Sequence, residues 1–518
     1  MARINTNVSS LIAQSNLSKS NKELASRLER LATGLRINRG ADDPAGLIAS
    51  QRLRSELRGL EQGIKNAERA SSVISTTEAA LSEVSDLLNS VKALVIEAAN
   101  TGAISKEEIA ANQLQIDSAI ESISRIANTT SFAGLKLLNG TLGYTVSSLD
   151  TSDIVKTKIY GAQLADRANI DVDVEVIGSA QTASLYLRSD FGTVPGAPAA
   201  DGQLPNDVTL EIAGPDGIVE LTFQSATSID DLIDAINSRS SITGVAAERQ
   251  NSSDISSGVR IHSVGYGSNS FVSVKRVSGG ADISVNKIIN DGPGPAVFTG
   301  GGANVTVADR DTGKDVVALV NGSVAIGRGL ELNVRGPELD MDLLLTSTFA
   351  TTVSPSGAST FTITGGGAKF QLGPQVNALQ QTNIGIDSIS ATRLGGTLIN
   401  LLGGGEEVQF LSSVRSGGSN ELATGNLANA SRILESAIDE ISELRGRLGA
   451  FERNVLDTNA RSLQSGVENI SASDSIIRDA DFARETSELT RAQILQSAGT
   501  SVLAAANSNS QSVLQLLG

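Results

Sequence analysis

The stretch 427–455, LANASRILESAIDEISELRGRLGAFERNV, decides the fold. Its apolar residues Leu427, Ala430, Leu434, Ala437, Ile441, Leu444, Leu448, Phe451 and Val455 recur at alternating gaps of three and four. That period keeps one apolar stripe on one side of a helix, facing a partner. No proline and no Gly-Gly pair interrupts it. A helix of this kind gains most of its stability from whatever covers the stripe, so the chain must supply partners of similar length.

Working outward, Leu57, Leu60, Ile64, Ala67, Ile74, Leu81, Val84, Leu88, Val91 and Val95 repeat the pattern. At about 1.5 Å per residue this is a helix of about 60 Å. Residues 104–127 add a third stripe through Ile109, Ile116, Ile120 and Ile123. The expected fold is mainly an α-helical, antiparallel three-helix coiled-coil rod formed by both chain ends, with a β-rich (α+β) central insertion. Its packing residues are Leu81, Val84, Leu88, Leu434, Ile441, Leu444, Leu448 and Phe451. A protein whose two ends must find each other is built to assemble.

Composition narrows the alternatives. A chain of 518 residues has the length of three or four domains, yet only 3% of it is aromatic, with no Trp, no Cys and one His. Large cores draw on aromatics; here Ala, Leu, Ile and Val must do the packing, as in thin helical bundles and small β-domains. With 41 Lys plus Arg against 57 Asp plus Glu, the net charge of -16 argues against a phosphate-binding surface and against nucleic acid as a partner. Without Cys there is no disulfide and no thiol chemistry. No segment approaches the ~18 consecutive apolar residues that span a bilayer, and MARINTNVSSLIAQSNLSKS at 1–20 lacks a secretory signal's basic and apolar regions. By itself that would place the chain in the cytoplasm.

Between about Leu142 and Gly418 the composition turns to Gly, Ser, Thr and Val. Val208 to Ala213, a Gly214-Pro215-Asp216-Gly217 turn and Ile218 to Phe223 read as a hairpin. Ser228 with Asp231 approximates a capping box, so a short helix follows through Leu232 and Ile236. Further strands are expected over 259–264, 271–277, 316–320 and 330–334, with Gly-rich loops at 300–302, 365–367 and 403–405. Nearer the N-terminus, Leu24, Leu28, Leu31 and Leu35 make a stripe that stops at Gly40; Asp43 then caps a new helix with Pro44 at its first position. At the other end Leu495, Ala498, Val502, Ala505 and Leu516 keep helical spacing, but Asn509 and Ser512 fall where a seam wants apolar groups. Such a helix is marginal alone.

Residues that invite a chemical reading have plainer ones. Asp309, Asp311, Gly313 and Asp315 resemble a calcium loop but lack its downstream bidentate Glu, leaving an acidic β-turn. Asp42 and Asp43 could form an acid/base couple; before Pro44 they read as a cap. Gly265-Tyr266-Gly267 lacks the third Gly and the helix of a dinucleotide fingerprint. His262 sits in an alternating strand, as a wall residue. One His cannot supply the two of an HExxH zinc site. No catalytic, metal or cofactor-binding residue and no cofactor is expected; the chain reads as no enzyme.

INTNVSSLIAQ at 4–14, RLATGLRINRGADDPAGLIAS at 30–50, NTTSFAGLKLLNG at 128–140 and SVLAAANSNSQSVLQLLG at 501–518 resemble the terminal signatures of bacterial flagellins, in order and at the right distance from each end. RIHSVGYGSNSFVSV at 260–274 is similar to an insertion motif of flagellins and hook-associated proteins. The resemblance implies an extracellular filament subunit for swimming motility, exported unfolded by the flagellar type III apparatus without a cleaved signal. It implies inner-tube assembly helices at 1–40 and 475–518, disordered before assembly, a rod from 41–188 and 365–474, and a surface insertion of one or two subdomains at 189–364. The self-assembly stripes are then Leu24, Leu28, Leu31, Leu35, Leu495, Val502, Leu516 and Leu517, with Arg27, Arg30, Glu488 and Arg491 as a solvated or subunit-bridging face. The implied partners are further copies of the chain, junction and cap proteins and an export chaperone, without nucleic acid or membrane insertion. Flagellins are also sensed by an innate immune receptor, here through a segment like Leu88 to Asn100 with Ser90, Lys92 and Leu94. Well-sensed members carry Arg where this chain has Ser90 and Glu where it has Ala93, so weak sensing is expected. The alternatives are a hook-filament junction protein with similar ends, or an adhesive or glycosylated insertion.

Overall fold

The computed structural model describes residues 6–163, 169–188, 202–250, 258–279, 283–289, 305–336, 338–353, 358–400 and 406–515. Helices α1 (Val8–Thr33), α2 (Pro44–Ala98) and α3 (Lys106–Thr129) precede the β-rich part. Within it lie α4 (Ile229–Asn237), α5 (Ser240–Thr243) and α6 (Ser347–Thr351). Helices α7 (Leu427–Phe451), α8 (Asp457–Arg478) and α9 (Phe482–Gln515) follow. The chain divides into two compact units, one of Met1–Ser71, Gln371–Gln381 and Phe451–Gly518, the other of Ser72–Phe370 and Thr382–Ala450.

In the second unit most of the heptad-stripe residues are covered. Ile74, Leu81, Val84 and Leu88 of α2, Ile116, Ile120 and Ile123 of α3, and Leu434 and Leu448 of α7 are each 0% exposed. Lys92 pairs with Glu435 at 3.0 Å and Arg445 with Glu78 at 3.9 Å, which sets α2 and α7 antiparallel. Burying each of these side chains contributes about 1.5–3 kcal/mol. Helix α3 starts on a capping box: Ser105 Oγ accepts from Glu108 N at 3.2 Å, and Glu108 Oε2 accepts from Ser105 N at 2.7 Å. Gln113 then fastens α3 to the chain before α7, donating to Val414 O at 3.0 Å and accepting from Leu422 N at 2.9 Å.

Among the described residues, the β part of this unit builds two cores. One lies under an antiparallel eight-stranded sheet in the order Tyr144–Ser147, Ser359–Gly366, Ile170–Gly178, Val317–Val320, Ser323–Arg328, Glu331–Arg335, Leu339–Leu345, Ile154–Ala162. Val172, Val174, Ala318, Met341, Leu343 and Phe361 fill it. The other is shared by a five-stranded sheet around Thr182–Arg188, a four-stranded sheet around Phe271–Gly279 and α4, through Leu185, Leu210, Ile212, Leu232, Ile261 and Val274. The hairpin Val208–Ala213/Ile218–Phe223 pairs in register from Val208↔Phe223 to Ala213↔Ile218. Asp231 N donates to Ser228 Oγ at 3.1 Å, starting α4. Three strands of the eight-stranded sheet, Tyr144–Ser147, Ile154–Ala162 and Ile170–Gly178, fall within 41–188.

The structure corrects the sequence reading in three places. The first stripe does not run to Gly40: α1 ends at Thr33 because Gly34 takes the left-handed conformation at φ +71°, and Leu35 leaves the helix to bridge Asp479. The C-terminal heptads do not continue smoothly through Val455. A π-helical turn over Glu452–Leu456 inserts a residue, so Leu456 is buried at 1% exposure and Val455 is only half-buried. Gly365 and Gly366 belong to a strand and only Gly367 to the turn after it. The glycine runs at 300–302 and 403–405 lie outside the described residues.

Candidate assembly surface

In the first unit α1 and α9 lie side by side and antiparallel. Asn7 caps α1, its Oδ1 accepting from Ser10 N at 3.0 Å, while its Nδ2 donates to Ala506 O at 3.0 Å. Ser10 Oγ donates to Asn507 Oδ1 at 2.8 Å. At the opposite end Arg27 Nη1 donates to both carboxylate oxygens of Glu485, at 3.0 and 2.9 Å, and Arg30 adds a contact at 3.3 Å. Small residues line the close approach: Ala13 is 6% and Ala492 2% exposed, and a Cβ on Gly499 would meet Leu17 Cδ1 at 3.2 Å. Burial works against the Glu485 charge, but the Arg27 and Arg30 guanidinium groups hold its carboxyl below the usual glutamate value. Arg27 and Arg30 are therefore engaged within the chain, where the sequence reading left them on a solvated or bridging face.

The breaks in the two helical ends meet. Arg36 N donates to Arg478 O at 2.7 Å and Ala480 N to Gly34 O at 2.9 Å, a short antiparallel bridge between the α1–α2 and α8–α9 connections. Beyond it Pro44 opens α2, with Gly46 N donating to Asp43 Oδ1 at 2.9 Å, the cap expected of Asp43. Asp42 Oδ2 instead accepts from Asn38 N at 3.0 Å and Arg39 N at 2.8 Å, closing the loop before the helix. Asp474 of α8 accepts from Ser50 and from Arg54 at 3.0 Å, so α8 runs back along α2.

With the pair closed, several of its large aliphatic residues stay outside. Leu11 and Ile12 are 57% exposed, Leu28 50%, Ile494 64%, Leu495 43% and Val502 58%. Leu24, Leu31 and Leu35 are half-buried, and Leu516 and Leu517 lie outside the described residues. Leu11, Ile12 and Ile494 were not singled out from sequence, although INTNVSSLIAQ contains the first two.

A second apolar point was also missed. The tip between Gln371 and Gln381 holds Val376 at 85% and Leu379 at 97% exposure. It is tied firmly at its base: Leu372 N donates to Gln380 O, Asn66 of α2 donates to Gln371 O at 3.1 Å, and Asn459 of α8 donates to Leu372 O at 2.9 Å. Glycines on α2 let it lie close. A Cβ on Gly63 would come within 2.9 Å of Leu372 O, and one on Gly59 within 2.7 Å of Pro374 Cβ. Two large aliphatics thus stand in solvent on a tip whose base is hydrogen-bonded to α2 and α8.

Of the expected packing residues, Leu81, Val84, Leu88, Leu434, Ile441 and Leu448 are buried, and Leu444 and Phe451 half-buried. In the segment similar to an immune-receptor epitope, Ser90 is exposed, its hydroxyl donating to Asp86 O at 2.9 Å; Lys92 is held by Glu435; Leu94 is half-buried. The acidic stretch is not the expected β-turn: Arg310–Thr312 is a strand, where Asp311 accepts from Ser184 N at 2.8 Å and pairs with Lys287, and beyond it Asp315 accepts from Ser268 N at 3.0 Å and Gly329 N at 2.7 Å. Burial, with Arg260 beside it, pushes the His262 imidazole down to about 4. Among the described residues no group of three or more His, Asp or Glu side chains could hold a metal ion, and no helix is long and apolar enough to cross a membrane.

Family models for the bacterial flagellin N-terminal and C-terminal helical regions match residues 4–142 and 432–517, and a model for the flagellin hook IN motif matches 207–258. Flagellin from Salmonella typhimurium strain LT2 is 28% identical over 548 residues, covering 99% of both chains. The chain belongs to the bacterial flagellin family. Flagellin from Salmonella derby is 29% identical over 539 residues, again with 99% of each covered. The chain is thus a structural subunit of the bacterial flagellar filament. The hook IN match ends before 260–274, so the insertion motif lies on the 208–223 hairpin and α4 rather than on the strand pair first taken for it. Among solved structures, the flagellar junction protein of Legionella pneumophila is 14% identical, with 83% of this chain and 99% of that one covered at a TM-score of 0.27. Two domains of the Escherichia coli flagellar cap protein are 15% identical, with 43% and 99% covered at 0.26. Scores this low carry no weight for fold or function.

Proposed function

We propose that the chain self-polymerises through its paired ends, with α1 and α9 as inner-tube helices whose outer aliphatics are covered only by neighbouring copies. The observation that carries this reading is the exposure of Leu11, Ile12, Leu28, Ile494 and Val502 on a helix pair that is already closed by hydrogen bonds. Ordering a residue costs about 1–2 kcal/mol. A pair whose fully buried apolar residues are alanines offsets little of that, so neighbours supply the rest. The ends at 1–40 and 475–518 then order on assembly, 41–188 with 365–474 forms the rod, and 189–364 projects at the filament surface. Export unfolded through the flagellar type III apparatus, with a chaperone, fits a marginal end without cysteine. Junction and cap proteins are the partners at the two ends of such a filament, which stands outside the cell. Sensing by an innate immune receptor is weak on this reading, and a cell reporter assay giving strong signalling from purified subunit would contradict it.

Electron microscopy of seeded full-length protein beside a chain lacking 501–518 tests the main proposal. Long filaments from the full chain alone are expected. Normal filaments from the truncation would remove the termini from assembly, and seeds that never elongate would favour a junction protein instead.

A further inference from the structure

In the second unit a half-open cavity of about 640 Å³ lies against the strand Ile154–Ala162, residues 385–394 and α7. That is within the roughly 300–1,000 Å³ of small-ligand pockets. Tyr144, Leu149, Ile389, Phe410 and Leu444 give it apolar walls. Its charges are unevenly satisfied. Glu440 of α7 is saturated, accepting from Lys156 Nζ at 2.6 Å, Lys158 Nζ at 3.2 Å and Gly395 N at 3.4 Å. Arg393 and Asp387 line the same cavity, and among the described residues neither side chain has a hydrogen bond or an ion pair. The Asp387 carboxyl is wedged beside the backbone, where a Cβ on Gly143 would come within 2.8 Å of Oδ1. Three cations, Lys156, Lys158 and Arg393, therefore share the cavity with two carboxylates, Glu440 and Asp387, and among the described residues the guanidinium makes no ion pair.

We propose that this cavity binds a small organic anion, a carboxylate carried on an apolar body about the size of one ring, with Arg393 and Lys158 taking its charge. Guanidinium and carboxylate match in geometry, and the walls favour a ligand with an apolar side over a bare inorganic anion. Asp387 makes the binding pH-dependent. Burial pushes its carboxyl up to about 6, with Glu440 pushing the same way and Lys158, Arg393 and Lys156 opposing. Those four charged groups act on Asp387, and the Tyr144 and Tyr160 phenols, kept neutral by burial, line the same cavity. Ionised, Asp387 repels the ligand; protonated, it donates to it. Binding strengthens as pH falls through about 6.

The test is calorimetric titration of the full-length protein with benzoate at pH 5.5 and 7.5, with benzamide as neutral isostere and inorganic phosphate as bare anion. Saturable benzoate binding is expected, several-fold tighter at the lower pH, with benzamide and phosphate at least tenfold weaker. Arg393→Ala alters an exposed side chain, leaves the melting temperature unchanged and weakens benzoate at least tenfold. Asp387→Asn removes the pH dependence and holds affinity at the low-pH value. No saturable benzoate binding at pH 5.5, equal binding of benzamide, or an Arg393→Ala variant with undiminished affinity would each overturn the proposal.

Discussion

The α2, α3 and α7 bundle and the α1–α9 pair are written in similar apolar spacing, yet they end with opposite surfaces. In the bundle the stripe residues Leu81, Leu88, Ile120 and Leu434 are 0% exposed. In the pair the buried apolar residues are Ala13 and Ala492, and Gly499 lies against Leu17, while Leu28 and Val502 are half or more exposed. A heptad stripe states that a helix needs covering; it does not state whether the cover comes from the same chain. What separates the two cases is residue size. In the bundle large aliphatics are wholly buried, whereas in the pair alanines take the buried apolar positions, Gly499 admits Leu17 closely, and several of the large aliphatics turn outward.

The largest effect expected from this contrast is in the bundle. Ile120→Ala removes a side chain with no exposed surface and leaves a cavity, costing about 2–5 kcal/mol. Urea unfolding followed by circular dichroism should show it as a lowered midpoint. A loss below ~1 kcal/mol would mean that the bundle is no better packed than the pair.

The charged clasp comes next. Glu485→Ala strands Arg27 and Arg30, whose partner side chain is 7% exposed, and an unsatisfied charged group costs about 1–3 kcal/mol. The loss should be confined to α1 and α9, read as faster amide exchange there with α3 unchanged. The same clasp sets an acid limit. Glu485 has a folded-state pKa below its ordinary 4.5, so its contribution is complete above about 4.5 and is lost as pH falls through the lowered value. Amide protection of α9 should therefore collapse in acid before that of α3, and Glu485→Gln should abolish the difference.

Smaller still is Gly63→Ala. Helix propensity alone favours Ala over Gly by roughly 1 kcal/mol, but the new methyl would lie 2.9 Å from Leu372 O and must push the 371–381 tip off α2. The two effects oppose. A net destabilisation of about 1–2 kcal/mol is expected from the contact, and a stabilised variant would show that the tip is loosely held.

How much of this was legible follows from the same physics. The helices, the 208–223 hairpin and the α4 cap could be read because each depends on local spacing and a capping residue. The strand Ile170–Gly178 was missed although Ile170, Val172, Val174 and Val176 alternate cleanly with acidic residues; that signal was there to be used. The ends of the stripes misled for want of one dihedral, Gly34 at φ +71°, and one extra residue in the π turn. No local pattern could disclose that Glu485 faces Arg27 across 458 residues, or that Leu379 would be held in the open, since both depend on the chain's long-range path.

The last and smallest effect on the single chain is the most informative about assembly. Leu28 is 50% and Leu379 97% exposed, so Leu28→Ala and Leu379→Ser should each change unfolding free energy by no more than about 0.5 kcal/mol. If copies of the chain cover these side chains, each loses its burial term on polymerisation, about 1.5–3 kcal/mol per contact. A difference of 1.4 kcal/mol is about tenfold in an equilibrium constant, so the critical concentration for filament growth should rise at least tenfold. Sedimentation of seeded protein over a concentration series measures it. Variants with unaltered critical concentration would leave both residues outside the filament's contacts, and the contrast between covered and waiting stripes would then rest on Leu11, Ile12, Ile494, Leu495 and Val502.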